Sequence, residues 1–402
     1  MHNQLLARRM QSFRPSPTAA ISDQVRSLEA AGKVVINLGE GELDFATPDS
    51  ISMAGIAGIL GQQTKYTAVA GTPELKDAIA VKFLRDNRLL FAQDQIIAGC
   101  GAKQLIFNAL LATLDPGQQV IIPAPYWVSY PDMVRLAEGE PVIVLCEEQQ
   151  GWKLQPAQLR AALTPATRWL ILNSPGNPTG AVYSAEEWRA LAEVLSDYPD
   201  VLILADDIYE PLRYDGIPFD TFASVAPELA ERILTVNGVS KSHAMTGWRL
   251  GYAGGPAWLI EAMQVLQSQS TSNASSISQA AAVVALRQPA TSLAGWIDKL
   301  DRRRQVLAMI NDTEGVSVCV PQGAFYLFVN CQKMLGRITP EGVTIATDSE
   351  LAAWLLVDAR VAVLQGSAFG MPGYLRIAYA VDDEKLALAC EQLRASLAKL
   401  RQ

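Results

Sequence analysis

VLILADDIYE, from Val201 to Glu210, opens on an unbroken apolar run and ends on two acids and a turn. A strand that is apolar on both faces belongs inside a sheet covered on both sides, and such sheets are usually parallel. Similar runs stand on either side of it: QIIAG (95–99), QVIIPAP (119–125), PVIVL (141–145), WLILNSP (169–175), ILTVNG (233–238) and LGYAGG (250–255). Helical patterns lie between several of them, from Ala102 to about Leu114, from about Ser129 to Ala137 and from Ala185 to Ser196. This alternation specifies a doubly wound α/β domain of about 240 residues with a mixed or parallel sheet.

Working outward, the N-terminal arm RPSPTAAISD (14–23) sets Ser16 and Thr18 among prolines, which reads as an extended approach rather than a helix. A helical stretch through Val25 and Leu28, a strand VVINL (34–38) and a glycine-rich loop GEGELDFATP (39–48) follow. Helices are expected from about Pro48 to Leu60 and from Thr72, where Pro73 suits the first turn. Beyond LIEAMQVLQSQSTSNASSISQAAAVVAL (259–286) the style changes. A charged helix with DKLDRRRQVLAMI (298–310), the run VSVCVPQGAFYLFV (316–329), a helix near Glu350 to Asp358, VAVLQG (361–366), YLRIAYA (374–380) and a final helix read as a smaller α+β lobe. The expected division is 1–47 as arm and part of the small domain, 48–290 as the large domain and 291–402 as the small domain.

The chain has 402 residues, more than one core usually holds, which agrees with two domains. Half of it is hydrophobic and 18% is charged, the composition of a globular protein. A net charge of −8 argues against nucleic acid as a partner, because phosphate binding needs concentrated Lys and Arg. Five scattered cysteines without CxxC spacing indicate neither a disulfide framework nor a zinc site and fit a reducing cytoplasm. His2 and His243 are the only histidines, which disfavours a histidine-based metal site or a Ser/His/Asp triad. His243 is open to reading as a base, a helper beside Lys241 or a spacer. The first twenty residues lack the apolar core of a signal peptide, and no run is long enough to span a bilayer, so no membrane partner is expected.

The chemistry concentrates in VNGVSKSHAMTGWRLGY (236–252), where Lys241 follows Ser240 and precedes Arg249. An amine behind a hydroxyl and near a guanidinium suits an aldehyde cofactor with a phosphate tail: the amine forms a Schiff base and the other two hold the phosphate. Taken alone, the stretch leaves open the alternative of a surface lysine in a loop. Asp206, at a strand end, is either a turn former or the carboxylate that holds a proton on a pyridine nitrogen. Tyr209 is three residues on, within reach of such a ring's phenolic oxygen. Asn177, in NSPGNPTG (173–180), is a donor to the same oxygen or part of a tight loop in which an X-Pro bond is a candidate for the cis form. GCGAKQLIFNAL (99–110) breaks at glycines and begins a helix whose N-terminal amides suit a phosphate. Trp127, in PAPYWVSY (123–130), is a core residue or a stacking surface for an aromatic ring. Arg376 sits inside an apolar strand and needs an anion, which a substrate carboxylate supplies bidentately.

With these elements in this order, the chain resembles the pyridoxal-phosphate-dependent class I aminotransferases of fold type I, and most closely their bacterial aspartate aminotransferase branch. The resemblance runs through KYTAVAGTPELKDAI (65–79), APYWVSYP (124–131), NSPGNPTGAVY (173–183), DDIYE (206–210), SKSHAMTGWRLGYAGGP (240–256), GAFYLF (323–328), GSAFG (366–370) and LRIAYA (375–380). It implies that Lys241 carries the Schiff base and shuttles a proton, so its pKa must fall well below the usual value of about 10.4. It further implies that Asp206 pairs with the pyridine nitrogen, that Asn177 and Tyr209 pair with the phenolate oxygen, and that Trp127 stacks on the ring. Ser240, Arg249 and the backbone of Gly101, Ala102 and Lys103 would bind the phosphate, with Tyr66 from the second subunit of a homodimer. Arg376, Asn177 and the Gly41 backbone would hold the substrate α-carboxylate, beside Trp127.

For the side chain of the substrate, the resemblance assigns Lys103 to a distal carboxylate and matches Arg14, near Thr18, to a basic residue found in members that also act on prephenate. The expectation is therefore an aspartate-type transaminase with 2-oxoglutarate as acceptor. GEGELDF departs from the usual pattern by placing Glu40 before Gly41, where its carboxylate would pair with Lys103, meet a basic substrate, or turn to solvent or a neighbouring backbone. A shift toward basic or neutral amino acids or prephenate is the alternative. A pyridoxal-phosphate lyase is a lesser rival, a DNA-binding regulator lacks a preceding helix-turn-helix module, and an NAD enzyme lacks GxGxxG after the first strands.

Overall fold

The computed structural model describes residues 5–11 and 13–402, so His2 and the start of the arm lie outside the described residues. A two-residue strand, β1 (Ile36–Asn37), is followed by β2 (Ile96–Gly99), β3 (Gln119–Ala124), β4 (Glu140–Leu145), β5 (Thr167–Asn173), β6 (Leu202–Asp206), β7 (Ile233–Gly238) and β8 (Gly251–Gly254). Strands β2 to β8 form one sheet in the order β2-β8-β7-β6-β5-β3-β4. Strands β3 to β7 pair in parallel, whereas β8 runs antiparallel to both of its neighbours, β2 and β7. The run LGYAGG is thus reversed with respect to the parallel reading. Unbroken apolarity reports burial on both faces, which β8 has throughout, and carries no information about direction.

The helices are α1 (Pro17–Ala30), α2 (Asp49–Leu60), α3 (Pro73–Asn87), α4 (Ala102–Thr113), α5 (Tyr130–Leu136), α6 (Pro156–Ala162), α7 (Ala185–Ser196), α8 (Phe222–Val225), α9 (Val239–Ser242), α10 (Ala257–Ser268), α11 (Ser276–Arg287), α12 (Ala294–Ala308), α13 (Asp348–Asp358) and α14 (Asp383–Leu397). Along β6 the side chains alternate between two cores. Leu202 and Leu204 join Leu105, Ile106 and Met263 of α4 and α10, while Ile203 and Ala205 join Trp188 and Leu191 of α7. Burying each large apolar side chain contributes roughly 1.5–3 kcal/mol, which pins the sheet between its helices. Capping fixes where helices start: Thr72 Oγ1 accepts from Leu75 N, and Ser184 and Glu187 make a reciprocal capping box on α7. The arm departs from expectation, because α1 begins at Pro17 and includes Thr18. Proline at the first helical position has no N–H to lose and a φ already set for a helix, so PSPT opens α1 instead of prolonging the arm.

The C-terminal lobe holds β9 (Ser317–Val318), β10 (Tyr326–Asn330), β11 (Val361–Ala362), β12 (Leu364–Gln365) and β13 (Tyr374–Ala378). Four of them make an antiparallel sheet in the order β12-β13-β10-β9, and β1 pairs in parallel with β11. The expected strand VVINL is therefore reduced to two residues and belongs beside this lobe, not in the large sheet.

A buried ion pair joins the parts of the large sheet that carry the polar strand ends. Lys82 of α3 donates to Glu210 at 2.5 Å and to Asn87 at 2.7 Å, and Glu210 also accepts from Asn237 of β7 at 2.8 Å. Both charges are shielded from water, so removing one partner strands the other. Lys82→Met is expected to cost about 3–5 kcal/mol in equilibrium guanidinium unfolding, and adding Glu210→Gln to recover a large part of that loss. A single variant within about 1 kcal/mol of the parent would show that the pair is not desolvated as described.

Candidate active site

Strand ends in an open α/β sheet are where polar side chains can converge without leaving backbone groups unpaired. Here β5 delivers Asn173 and the turn to Asn177, β6 ends on Asp206, β7 leads into α9 with Ser240 and Lys241, and the chain after β3 brings Trp127. From the other lobe come Tyr326 of β10 and Arg376 of β13. These residues line one cavity of about 250 Å³ together with Ser16, Thr18, Gly41, Ala102, Lys103, Tyr130, Tyr209, Thr246 and Arg249.

The charges in it are poorly compensated by the protein itself. Asp206 is buried; its Oδ2 accepts from Tyr130 OH at 2.6 Å and its Oδ1 from Ile208 N at 3.3 Å. Desolvation pushes its pKa up to about 6, against the opposing pull of those two hydrogen bonds and of Lys241. Lys241 donates through Nζ to the Gly41 carbonyl. Desolvation lowers its pKa to about 8, resisted by Glu42 and helped by Arg376 and Arg249. Arg376, also buried, donates to Asn177 Oδ1 at 3.0 Å and to the Gly39 carbonyl at 2.6 Å, while its Nε has no partner among the described residues. Its guanidinium stands 4.4 Å from the Tyr326 ring centre and 5.0 Å from that of Phe369, so its plane is held by aromatic faces. Burial pulls its pKa down from the ordinary value, with the Tyr326 and Tyr209 phenols opposing.

A second group of donors faces the N-terminus of α4. Gly101 has φ +88°, a backbone conformation that favours glycine, and a Cβ there would lie 2.5 Å from Arg249 Nη2, so the guanidinium rests close over this residue. Arg249 donates to the carbonyls of Thr246 at 2.9 Å and Cys100 at 3.5 Å, which aims its head at this helix end. The first turn of α4 carries no acidic residue, and the buried Ser240 is beside it in the lining. Helix amides, a hydroxyl and a guanidinium in one place form a cradle for a phosphate. Lys103 lies 4.9 Å from the Trp127 ring centre, and its pKa is lowered by desolvation and by Arg249.

Of the residues read from the sequence, Gly41, Ala102, Lys103, Trp127, Asn177, Asp206, Tyr209, Ser240, Lys241, Arg249 and Arg376 share the cavity lining. Gly101 stands behind it, under Arg249. Tyr209 OH is 2.7 Å from Tyr326 OH, a partner that was not anticipated. Arg14 lines an adjoining hollow with Lys103 and Arg249. Tyr66 is 91% exposed and away from the cavity of its own chain. Glu40 is not in the lining: its Oε1 accepts from Ser22 Oγ at 2.7 Å and its Oε2 from Asn37 Nδ2 at 3.4 Å, so neither Lys103 nor the cavity receives its charge. His243 faces a separate hollow with Lys82 and Arg85, its Nδ1 2.7 Å from Ser242 Oγ, and burial holds its pKa down to about 4. It is therefore a neutral, internal neighbour of Lys241 with no access to the cavity. Sequence reading missed Tyr130, Tyr326 and the pair Glu42–Thr246, in which the threonine hydroxyl donates to the carboxylate. Tyr130 was visible as a polar aromatic beside Trp127; nothing in GEGELDF distinguished Glu42 from Glu40.

The family model for aminotransferase class I and II matches residues 33–393. An aspartate aminotransferase of Rhizobium meliloti is 49% identical over 395 residues, covering 98% of this chain and 96% of that one. An aspartate/prephenate aminotransferase of Cereibacter sphaeroides is 50% identical over 388 residues, with coverages of 96% and 97%. Among solved structures, the Rhizobium meliloti aspartate aminotransferase superposes with a TM-score of 0.95 at 49% identity, covering 98% and 99% of the two chains. The Thermus thermophilus aspartate aminotransferase with maleate gives a TM-score of 0.90 at 38% identity, covering 97% and 99%.

The lowered pKa of Lys241 has a direct consequence for its nucleophilicity. The proton leaves a depressed lysine earlier, so the neutral amine grows as pH rises through about 8. In the chain freed of small molecules, the rate of Lys241 modification by trinitrobenzenesulfonate is expected to rise about tenfold from pH 7 to 9 and then level off. Peptide mapping reads it out; a rate still climbing toward pH 10.5 would mark an ordinary, solvated lysine.

Proposed function

The chain belongs to the class I and II aminotransferases, and we propose that within this family of transaminases it takes the amino group from aspartate and passes it to a 2-oxo acid such as 2-oxoglutarate, using pyridoxal 5'-phosphate. The observation that carries this reading is a charge imbalance. Lys103, Lys241, Arg249 and Arg376 line the cavity against a single carboxylate, Asp206, and none of the four forms an ion pair among the described residues. A phosphorylated cofactor and a dicarboxylic substrate together bring the anions that such a cavity lacks.

The donor set fits pyridoxal phosphate. The α4 amides from Gly101 to Lys103, with Ser240 and Arg249, would hold its phosphate, joined by Tyr66 of a second copy, whose exposure supports that role. Asp206 would face its ring nitrogen, Asn177 and Tyr209 its phenolic oxygen, and Trp127 its ring face. When bound, pyridoxal phosphate supplies an electron sink for the bond to the amino acid's α-hydrogen. Tyr130 and the Ile208 amide keep Asp206 oriented and favour its ionised form, so that it can hold a proton on a ring nitrogen. Nζ of Lys241, largely desolvated, is the base that takes the proton from the α-carbon and later returns one. Arg376 holds the α-carboxylate through the edge that carries its unpartnered Nε, and the Tyr326 and Phe369 rings keep water from its faces. Lys103 is left for the distal carboxylate. The Thermus thermophilus relative described with maleate, a dicarboxylate, supports this choice.

Glu40 turns to Ser22 and Asn37 rather than into the cavity, which weighs against a specificity shifted by its charge. Prephenate stays as a second acceptor, favoured by the hollow beside the cavity: it shares Lys103, Val128 and Ser129 with the main lining and adds Arg14, Phe107 and Met133, room for a bulky side chain. A homodimer in a reducing cytoplasm completes the reading. The scattered unpaired cysteines are compatible with a reducing compartment.

The deciding experiment is a panel of amino donors with 2-oxoglutarate. Aspartate is expected to exceed alanine, leucine and arginine in kcat/KM, and aspartate no better than alanine would sink the proposal. Lys241→Ala should lower turnover about a thousandfold or more. Lys103→Met should cost aspartate about ten- to a hundredfold in kcat/KM while leaving alanine nearly unchanged, since it removes one charged hydrogen bond from one end of the substrate. Equal losses for both donors would place Lys103 elsewhere in the mechanism.

A further inference from the structure

Glu40 carries a charge that the cavity does not use, and its partners show where it acts. Its carboxylate receives Ser22 Oγ at 2.7 Å and Asn37 Nδ2 at 3.4 Å. Ser22 belongs to α1, the helix whose first residues bring Ser16 and Thr18 to the cavity wall. Val25 packs with Val35, Leu356 and Ala362, flanked by Ile21 and Leu28, and the buried Ser22 adds to this apolar contact a charged hydrogen bond to Glu40, with the Thr18 carbonyl 3.1 Å away as its other acceptor. On the other side, Asn37 Oδ1 accepts from Gly39 N at 3.0 Å, and the Gly39 carbonyl accepts from Arg376 Nη2 at 2.6 Å. A Cβ on Gly39 would come within 3.1 Å of Ile21 Cγ2, which shows how closely α1 lies on the same loop.

We propose that Glu40 is a positioning residue for substrate binding: it ties α1 to the loop 37–41, and so fixes both the Ser16–Thr18 wall and the Gly39 carbonyl that orients Arg376, without touching substrate. This rests on the transaminase reading of the cavity and adds to it what holds one of the cavity's walls in place. The link is mechanical, so any group that accepts from Ser22 at that position sustains it, whether charged or not.

The test uses the cofactor-loaded enzyme and whichever amino donor the parent turns over best, so that it does not depend on the donor being aspartate. Ser22→Ala and Glu40→Ala cut the same link from its two ends. Each is expected to raise KM for the donor on the order of tenfold, with kcat within about twofold and the visible absorbance of the cofactor unchanged. The double variant should be no worse than either single one. Glu40→Gln, whose amide oxygen still accepts from Ser22, should keep KM within about threefold of the parent. Amide hydrogen exchange of residues 17–30 should quicken in both alanine variants. If Ser22→Ala leaves KM unchanged while Glu40→Gln alters the preference between dicarboxylic and neutral donors, Glu40 acts on substrate by its charge and the proposal fails. It fails equally if kcat and cofactor absorbance fall together, which would mark general damage to the fold. A parent that turns over no amino donor at all would instead overturn the transaminase reading, while the exchange data still report whether the link exists.

Discussion

Desolvation of charge is the constraint on which this molecule is arranged. Asp206, Lys241 and Arg376 are withdrawn from water where the strand ends of the large sheet meet β13, and each has neutral hydrogen-bond partners but, among the described residues, no ion pair. Such an arrangement is costly for stability and is tolerated where a ligand brings the missing charge. The same desolvation that lifts Asp206 lowers Lys241, bringing the amine toward the neutral form in which it can take a proton, while Tyr130 and the Ile208 amide oppose neutralisation of the carboxylate. The remainder of the site supports these three groups: Tyr130 steadies Asp206, aromatic faces flatten Arg376, and the Gly41 carbonyl positions Lys241.

The scaffold bears the cost of these charges by distributing them over elements that are themselves rigid. Asp206 and Ser240 sit at the ends of adjacent parallel strands, and the internal pair of Lys82 with Glu210, together with Asn237, holds those two ends at a set spacing from behind. Of the residues that would meet the substrate, Gly41 comes from the loop after β1 and Arg376 from β13, whereas Lys103, Trp127 and Asn177 come with the large sheet. The loop 37–47 is the seam between these two groups. Asp44 on that seam is held bidentately by the buried Arg303 at 2.7 Å, and Thr47 donates to the Ala244 carbonyl at 2.8 Å, so the loop is fastened to both sides.

Much of this was legible in the sequence because burial on both faces leaves a direct mark: VLILADD, WLILNSP and ILTVNG could only be inner strands, and the polar residues at their ends were the residues that converge. The direction of β8 was not legible, since apolar content says nothing of polarity along the chain. Nor was the start of α1, where prolines that usually interrupt a helix instead open one. Side-chain orientation in a glycine-rich loop was beyond reach for a further reason. With Glu40 and Glu42 flanking Gly41, only the path of the backbone decides which carboxylate meets Ser22 and which meets Thr246. Partners far apart in the chain, Tyr130 and Asp206 at 76 positions or Tyr209 and Tyr326 at 117, leave no local signature either.

The central claim is that Lys241 is the lysine that binds pyridoxal phosphate covalently. Borohydride reduction of the purified chain loaded with pyridoxal phosphate, followed by peptide mapping by mass spectrometry, addresses it most directly. The expected result is a single reduced pyridoxyl adduct on the peptide that contains Lys241, with the visible absorbance lost in step. An adduct on Lys103 or on any other lysine, or none at all on a chain that binds the cofactor, would contradict it.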